Sequence, residues 1–127
     1  MFYNRNLSKI YAPKAVYIGD SFLYYNSEME EISLPNVVKI GDNFMNDNVK
    51  INRVNLSSLE EVGSFFFHYN NGLIRLDLEN LRKVNVGFMR HNEKLTELYA
   101  PNLVDIGYHF LNKILILIVI AKIQKAM

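Results

Sequence analysis

Residues 29–50 read Met-Glu-Glu-Ile-Ser-Leu-Pro-Asn-Val-Val-Lys-Ile-Gly-Asp-Asn-Phe-Met-Asn-Asp-Asn-Val-Lys, and the same pattern returns when the chain is displaced by 22 positions. Phe stands at 22, 44, 66, 88 and 110, and Asn at 4, 26, 48, 70 and 92. Gly occupies 19, 41, 63 and 107, with Asn85 in the one vacant slot. All three prolines, Pro13, Pro35 and Pro101, share a column. A fixed period of this length is the signature of stacked turns, each too small to bury its own apolar face.

The aliphatic columns complete the unit. Leu7, Met29, Ile51, Leu73 and Leu95 open five turns. Ile10, Ile32, Val54, Leu76 and Leu98 follow, then Ala12, Leu34, Leu56, Leu78 and Ala100. Further on lie Ala15, Val37, Leu59, Leu81 and Leu103, and then Ile18, Ile40, Val62, Val84 and Ile106. The consensus is L-x-x-L-x-L-P-N-L-x-x-I-G-x-x-F-L-x-x-N-x-x.

The L-x-L step alternates with period two, which predicts one short strand per turn, stacked in parallel on its neighbours. Proline directly after it lacks an N–H and ends the ladder. The glycine column reads as a backbone position with positive φ, with Asn85 as the best non-glycine substitute. Phe fills the wide side of the coil, with Leu23, Met45, Phe67, Met89 and Leu111 beside it. The Asn column turns the backbone, its amide bonding to main chain of its own or a neighbouring turn. Amphipathic helices are rejected because Pro or Gly punctuates every turn. A short helix or 3₁₀ turn around G-x-x-F-L stays open.

Composition narrows the function classes. The 127 residues fit one domain, half of them hydrophobic and 21% charged, with a net charge of +1. No global field draws the chain to nucleic acid or acidic lipid. With no cysteine there is no disulfide, thiolate chemistry or cysteine zinc site. The start, Met-Phe-Tyr-Asn-Arg-Asn-Leu-Ser-Lys, lacks a signal peptide's apolar run, so the chain as it stands reads as cytoplasmic.

The consensus resembles the leucine-rich repeats, and among them the bacterial cell-surface type called BspA-like. The resemblance rests on Leu34-Pro35, Ile40-Gly41 and Phe44-Met45, and on Ala100-Pro101, Ile106-Gly107 and Phe110-Leu111. It covers residues 4 to about 113, with turns one residue shorter than the family's usual length and without the small residue before the aromatic. It implies a leucine-rich-repeat-like solenoid of five stacked turns. It also implies a role in adhesion or protein–protein contact, usually in secreted or surface-attached proteins.

In such a solenoid the outward residues of the strand ladder form the concave binding face. Two columns supply it: Lys9, Glu31, Arg53, Arg75 and Glu97, and Tyr11, Ser33, Asn55, Asp77 and Tyr99. Lys9, Tyr11, Glu31, Arg53, Asn55, Arg75, Asp77, Glu97 and Tyr99 are therefore the candidate partner-binding residues. Arg53 directly beside Arg75 invites an acidic partner, unless Glu31, Asp77 and Glu97 already neutralise the pair. Tyr17, Lys39, Glu61, Lys83 and Asp105 read as a solvated charged flank.

Catalysis finds no support. His68, His91 and His109 fall in three different columns. His68 and His91 could approach across successive turns, but two imidazoles alone make a poor metal site. No nucleophile elbow, P-loop, H-E-x-x-H or dinucleotide glycine pattern is present. Tyrosines without a basic stripe do not suggest nucleic acid. The expectation is a non-enzymatic protein-binding module without cofactor or metal.

The end of the chain breaks the pattern. Residues 1–113 read as the solenoid and 114–127 as an out-of-register tail. Between Ile114 and Ala121 the chain reads Ile-Leu-Ile-Leu-Ile-Val-Ile-Ala, too short to span a bilayer. It could be a capping strand, with Leu117 and Ile120 on the aliphatic columns, or a self-association patch. The third reading, preferred because every column fails at one residue, is a fragment of a longer array whose frame shifted near residue 113. The coding DNA in the other two frames would then resume the consensus.

Overall fold

The computed structural model describes residues 5–105 and the backbone of residues 118–120. Asn4, Ile106, Gly107, His109, Phe110 and Leu111 lie outside the described residues, as do the side chains of 114–121.

The L-x-L step forms the predicted strand in every described turn: β1 (Lys9–Tyr11), β3 (Glu31–Ser33), β5 (Arg53–Asn55), β7 (Arg75–Asp77) and β8 (Glu97–Tyr99). Pairing is parallel and keeps the 22-residue register, as in Lys9 opposite Glu31 and Glu31 opposite Arg53. A second strand follows the first in each of the first three turns: β2 (Tyr17–Ile18), β4 (Lys39–Ile40) and β6 (Glu61–Val62). They form a second parallel sheet, which single bridges continue to Lys83 and Asp105. The charged flank is thus the outer side of a sheet. Tyr17, Lys39, Lys83 and Asp105 are exposed, while Ile18, Ile40, Val62 and Val84 point into the core.

The core lies between the two sheets and the phenylalanine side of the coil. Ile32, Val37, Ile40, Phe44, Leu59 and Phe66 are fully buried. The Phe column stacks ring on ring: Phe22 to Phe44 at 6.0 Å, Phe44 to Phe66 at 5.5 Å and Phe66 to Phe88 at 5.4 Å, with interplanar angles of 10° or less. This spacing suits offset aromatic stacking, and the identical column makes it repeat.

The segment after each second strand is neither helix nor 3₁₀ turn. Every second residue there has positive φ: Ser21, Leu23 and Tyr25, then Asn43, Met45 and Asp47, then Phe65, Phe67 and Tyr69. Gly87, Met89 and His91 continue the three columns. Left-handed conformation costs a non-glycine residue about 1–2 kcal/mol. Inter-turn bonds offset it: Met45 N donates to Phe22 O at 2.9 Å, Asn43 N to Ser64 O at 2.8 Å and Asp47 N to His68 O at 2.9 Å. Alternate N–H groups therefore reach the turn before and the turn after, which a helix would direct into itself.

This corrects the reading of the glycine column. Gly19, Gly41 and Gly63 do not have positive φ, and Gly87, which does, stands two residues beyond that column. What the column requires is close approach between turns. A Cβ on Gly41 would collide with Asp20 Oδ1, and one on Gly63 would lie 2.7 Å from the Gly41 carbonyl carbon and 2.8 Å from Asp42 N. Asp20 Oδ1 accepts from Asp42 N at 2.8 Å, and Asp42 Oδ1 accepts from Ser64 N at 2.7 Å. These bonds draw the turns together where the glycines sit.

Beyond residue 113, β9 (Ile118–Ile120) pairs in parallel with β8, Leu98 opposite Val119 and Tyr99 opposite Ile120. That register is 21 residues, one short of the period. Val119, and not Ile120, therefore takes the position opposite Leu98.

Candidate protein-binding face

The outward side chains of the first ladder form the candidate face. Lys9 and Tyr11 come from β1, Glu31 from β3, Arg53 and Asn55 from β5, Arg75 and Asp77 from β7, and Glu97 and Tyr99 from β8. Period-two alternation places them outward, since Ile32, Leu76 and Leu98 between them are buried. Tyr11 is 71% exposed, enough to offer most of its ring to a partner.

The pleat sets the charges in one row. Lys9 Nζ and Arg53 Nη1 each lie 3.7 Å from Glu31 Oε2. Arg75 pairs with Asp77 Oδ1 at 2.9 Å and also with Glu97. The hydrogen bonds that Arg75 donates to Glu97 and then to Asp77 raise its pKa above the ordinary value. Arg53 and Arg75 thus pair away from each other, one toward the preceding turn and one toward the following turn. Glu31, Asp77 and Glu97 provide the neutralisation that the sequence left open.

The ladder has a seam at the same place. Among the described residues β1-β3-β5 form one sheet and β7-β8-β9 another, with no strand pairing between β5 and β7. Leu34 N donates to Asn55 O and Leu78 N to Tyr99 O, but no equivalent bond joins Leu56 to Asp77. The second sheet stays connected there, with Arg82 N donating to Glu60 O and Val62 N to Lys83 O. Like charges opposed on adjacent strands repel, and the seam separates the one such pair in this row.

Sequence reasoning read the charged flank as a solvated surface but missed that a second sheet carries it. Its outer side carries Val38, Lys39, Glu60, Glu61, Arg82 and Lys83 around a shallow groove, and Lys39 pairs with Glu61 at 3.9 Å. The alternation of Lys39 with Ile40 and Glu61 with Val62 was the available signal, but it is only two residues long.

His68 and His91 meet away from both sheets. The rings of His68 and His91 lie 5.4 Å apart, and Tyr69 stacks on His91 at 4.3 Å with an interplanar angle of 2°. Burial, reinforced by His91 and Arg90, lowers the His68 pKa from 6.5 to about 4. Nε2 of His68 is buried without a hydrogen-bond partner among the described residues. Burial raises the Asp47 pKa against a hydrogen bond from Tyr25. Among the described residues no three histidines or carboxylates converge as a metal site would require.

No curated protein and no solved structure matches the chain significantly. The pattern of the BspA type leucine-rich repeat region matches residues 1–115 in six copies. With that match over nearly the whole chain, and a parallel solenoid built on the same columns, the protein belongs to the BspA-type leucine-rich repeat family.

Proposed function

We propose that the chain is a non-catalytic protein-binding or adhesion module that engages its partner through the first ladder. The supporting observation is the row Lys9, Glu31, Arg53, Arg75 and Glu97, with Tyr11 and Tyr99 at its two ends, displayed on a backbone fixed by parallel pairing. A face of aromatic and arginine side chains with both charges interspersed suits recognition of a protein surface, where such residues carry most of the binding energy. The family, whose members commonly act in protein contact, supports the same reading.

The test compares three immobilised chains in an extract of the source organism. They are the parent, an Arg53→Glu/Arg75→Glu ladder variant, and a Lys39→Glu/Lys83→Glu variant of the second sheet. The expected result is a protein retained by the parent and the second-sheet variant and lost from the folded ladder variant. Equal retention by all three, loss from the second-sheet variant alone, or no specific retention contradicts the proposal.

A further inference from the structure

Asn71-Gly72 is the only Asn-Gly pair in the chain, and it lies in the turn that links the third coil to the fourth. Both residues are partly exposed, between buried Asn70 and buried Leu73. Glycine is required at 72: a Cβ there would lie 2.6 Å from Val49 O and 2.9 Å from Ile51 O. The backbone nitrogen after Asn71 is therefore unhindered by any side chain. Among the described residues neither Gly72 N nor Asn71 Nδ2 has a hydrogen-bond partner. Asn71 Oδ1 does have one, accepting from Glu93 N at 3.3 Å.

We propose that Asn71-Gly72 is a site of spontaneous covalent modification, at which the asparagine converts to aspartate and isoaspartate. Gly72 N attacks Asn71 Cγ. The N–Cγ bond forms, negative charge develops on Oδ1, and the Glu93 N–H faces that oxygen. The Cγ–Nδ2 bond then breaks, and Nδ2 leaves as ammonia with the proton given up by Gly72 N. Water opens the resulting five-membered imide. Addition at Cγ gives aspartate, and addition at the Asn71 backbone carbonyl carbon gives isoaspartate, in which the main chain is one methylene longer. No oxidant or cofactor enters the balance.

Five other asparagines are held differently. Asn48 Nδ2 donates to Leu23 O at 2.5 Å and Asn46 O at 3.0 Å, and Asn70 Nδ2 donates to Met45 O. Exposed Asn36, Asn80 and Asn102 each donate Nδ2 to a backbone carbonyl 23 residues earlier. Those carboxamides are fixed, and each is followed by Val or Leu. Conversion at Asn71 removes one unit from the formal net charge of +1. The isoaspartyl form also lengthens the link between Asn70 and Leu73, both of which the core fixes.

The full chain is incubated folded in mildly alkaline buffer made with heavy-oxygen water, and label uptake is mapped by peptide mass spectrometry. Label is expected first in the peptide containing Asn71, about tenfold or more ahead of Asn36, Asn80 and Asn102. Asn71→Gln is expected to abolish that fast phase and leave the denaturant midpoint unchanged. The converted protein is separated from the parent by charge and its isoaspartyl form from the aspartyl form by hydrophobic-interaction chromatography, and the isoaspartyl form is expected to unfold at lower denaturant than the parent. Label at Asn71 no faster than at Asn36, Asn80 or Asn102 overturns the site. An isoaspartyl fraction as stable as the parent overturns the coupling to Asn70 and Leu73.

Discussion

Asn48 Oδ1 accepts a hydrogen bond from the backbone N–H of Asn26, 2.9 Å away and one turn earlier. The Asn48 N–H donates in the same way to Asn70 Oδ1 at 2.8 Å. Each carboxamide also donates backward to the carbonyl of a left-handed residue: Asn48 to Leu23, Asn70 to Met45 and Asn92 to Phe67. One side chain thus joins its own turn to the preceding one and caps a strained backbone position. All four described members, Asn26, Asn48, Asn70 and Asn92, are fully buried.

Asn48→Ala removes the buried acceptor of Asn26 N and the buried donor to Leu23 O. A loss of about 2–5 kcal/mol is expected, since each orphaned buried group costs about 1–3 kcal/mol. Asn80→Ala removes an exposed bond to Ser57 O at 2.6 Å and is expected to cost less than about 1 kcal/mol. Urea unfolding of the two variants checks the contrast.

The glycine column yields opposite outcomes at two positions. A Cβ on Gly19 meets nothing within 4 Å, and its φ lies outside the left-handed region. Gly19→Ala is therefore expected to be neutral or to stabilise by up to about 1 kcal/mol through the unfolded chain. Gly63→Ala presses on the Gly41 backbone, and trimming Asp42 to alanine does not relieve that contact. It is expected to destabilise by about 1–3 kcal/mol. Thermal melts of Gly19→Ala, Gly63→Ala and Gly63→Ala/Asp42→Ala test both halves.

Much of this fold is legible in the sequence because repetition multiplies weak signals. One Leu-x-Leu step says little, but five in register define the β1 ladder and its inward residues. The Asn column was readable as a backbone ligand because a polar residue repeated among aliphatics needs a structural use. The second sheet was not readable, because Tyr17-Ile18 and Lys39-Ile40 are too short for alternation to stand out. Nor were the left-handed positions at Leu23, Met45 and Phe67. Their residue types disfavour that conformation, and bonds 22 or more residues away hold it in place. The glycines misled for a related reason: their cause is a neighbouring turn and not their own torsions. On the candidate face the outward positions were legible in the sequence, but the seam between β5 and β7 depends on how charges one turn apart choose partners.

His68 makes stability depend on pH. Its folded pKa, about 4, lies below the ordinary 6.5, so the unfolded chain binds the proton more readily. The neutral ring's contribution is fully present above about 6.5 and is lost as pH falls through the window toward 4. His68→Gln is expected to flatten the slope of the urea midpoint across that window relative to the parent. The raised Asp47 pKa is common to both proteins and drops out of the difference. Parallel slopes would show that His68 titrates as it does in the unfolded chain.

The central claim is a single 22-residue register that holds the outward side chains as one face. The absence of cysteine allows a direct measurement. Parallel neighbours stand about 4.8 Å apart, within the Cα separation of about 4.4–6.8 Å that a disulfide accepts. Ser33 lies opposite Asn55. Oxidation of the Ser33→Cys/Asn55→Cys protein is expected to give an intramolecular disulfide in nearly every molecule. The Ser33→Cys/Val54→Cys protein, with the second thiol on the inward side, is expected to give almost none. Efficient bridging in the second pair, or failure in the first, would contradict the register.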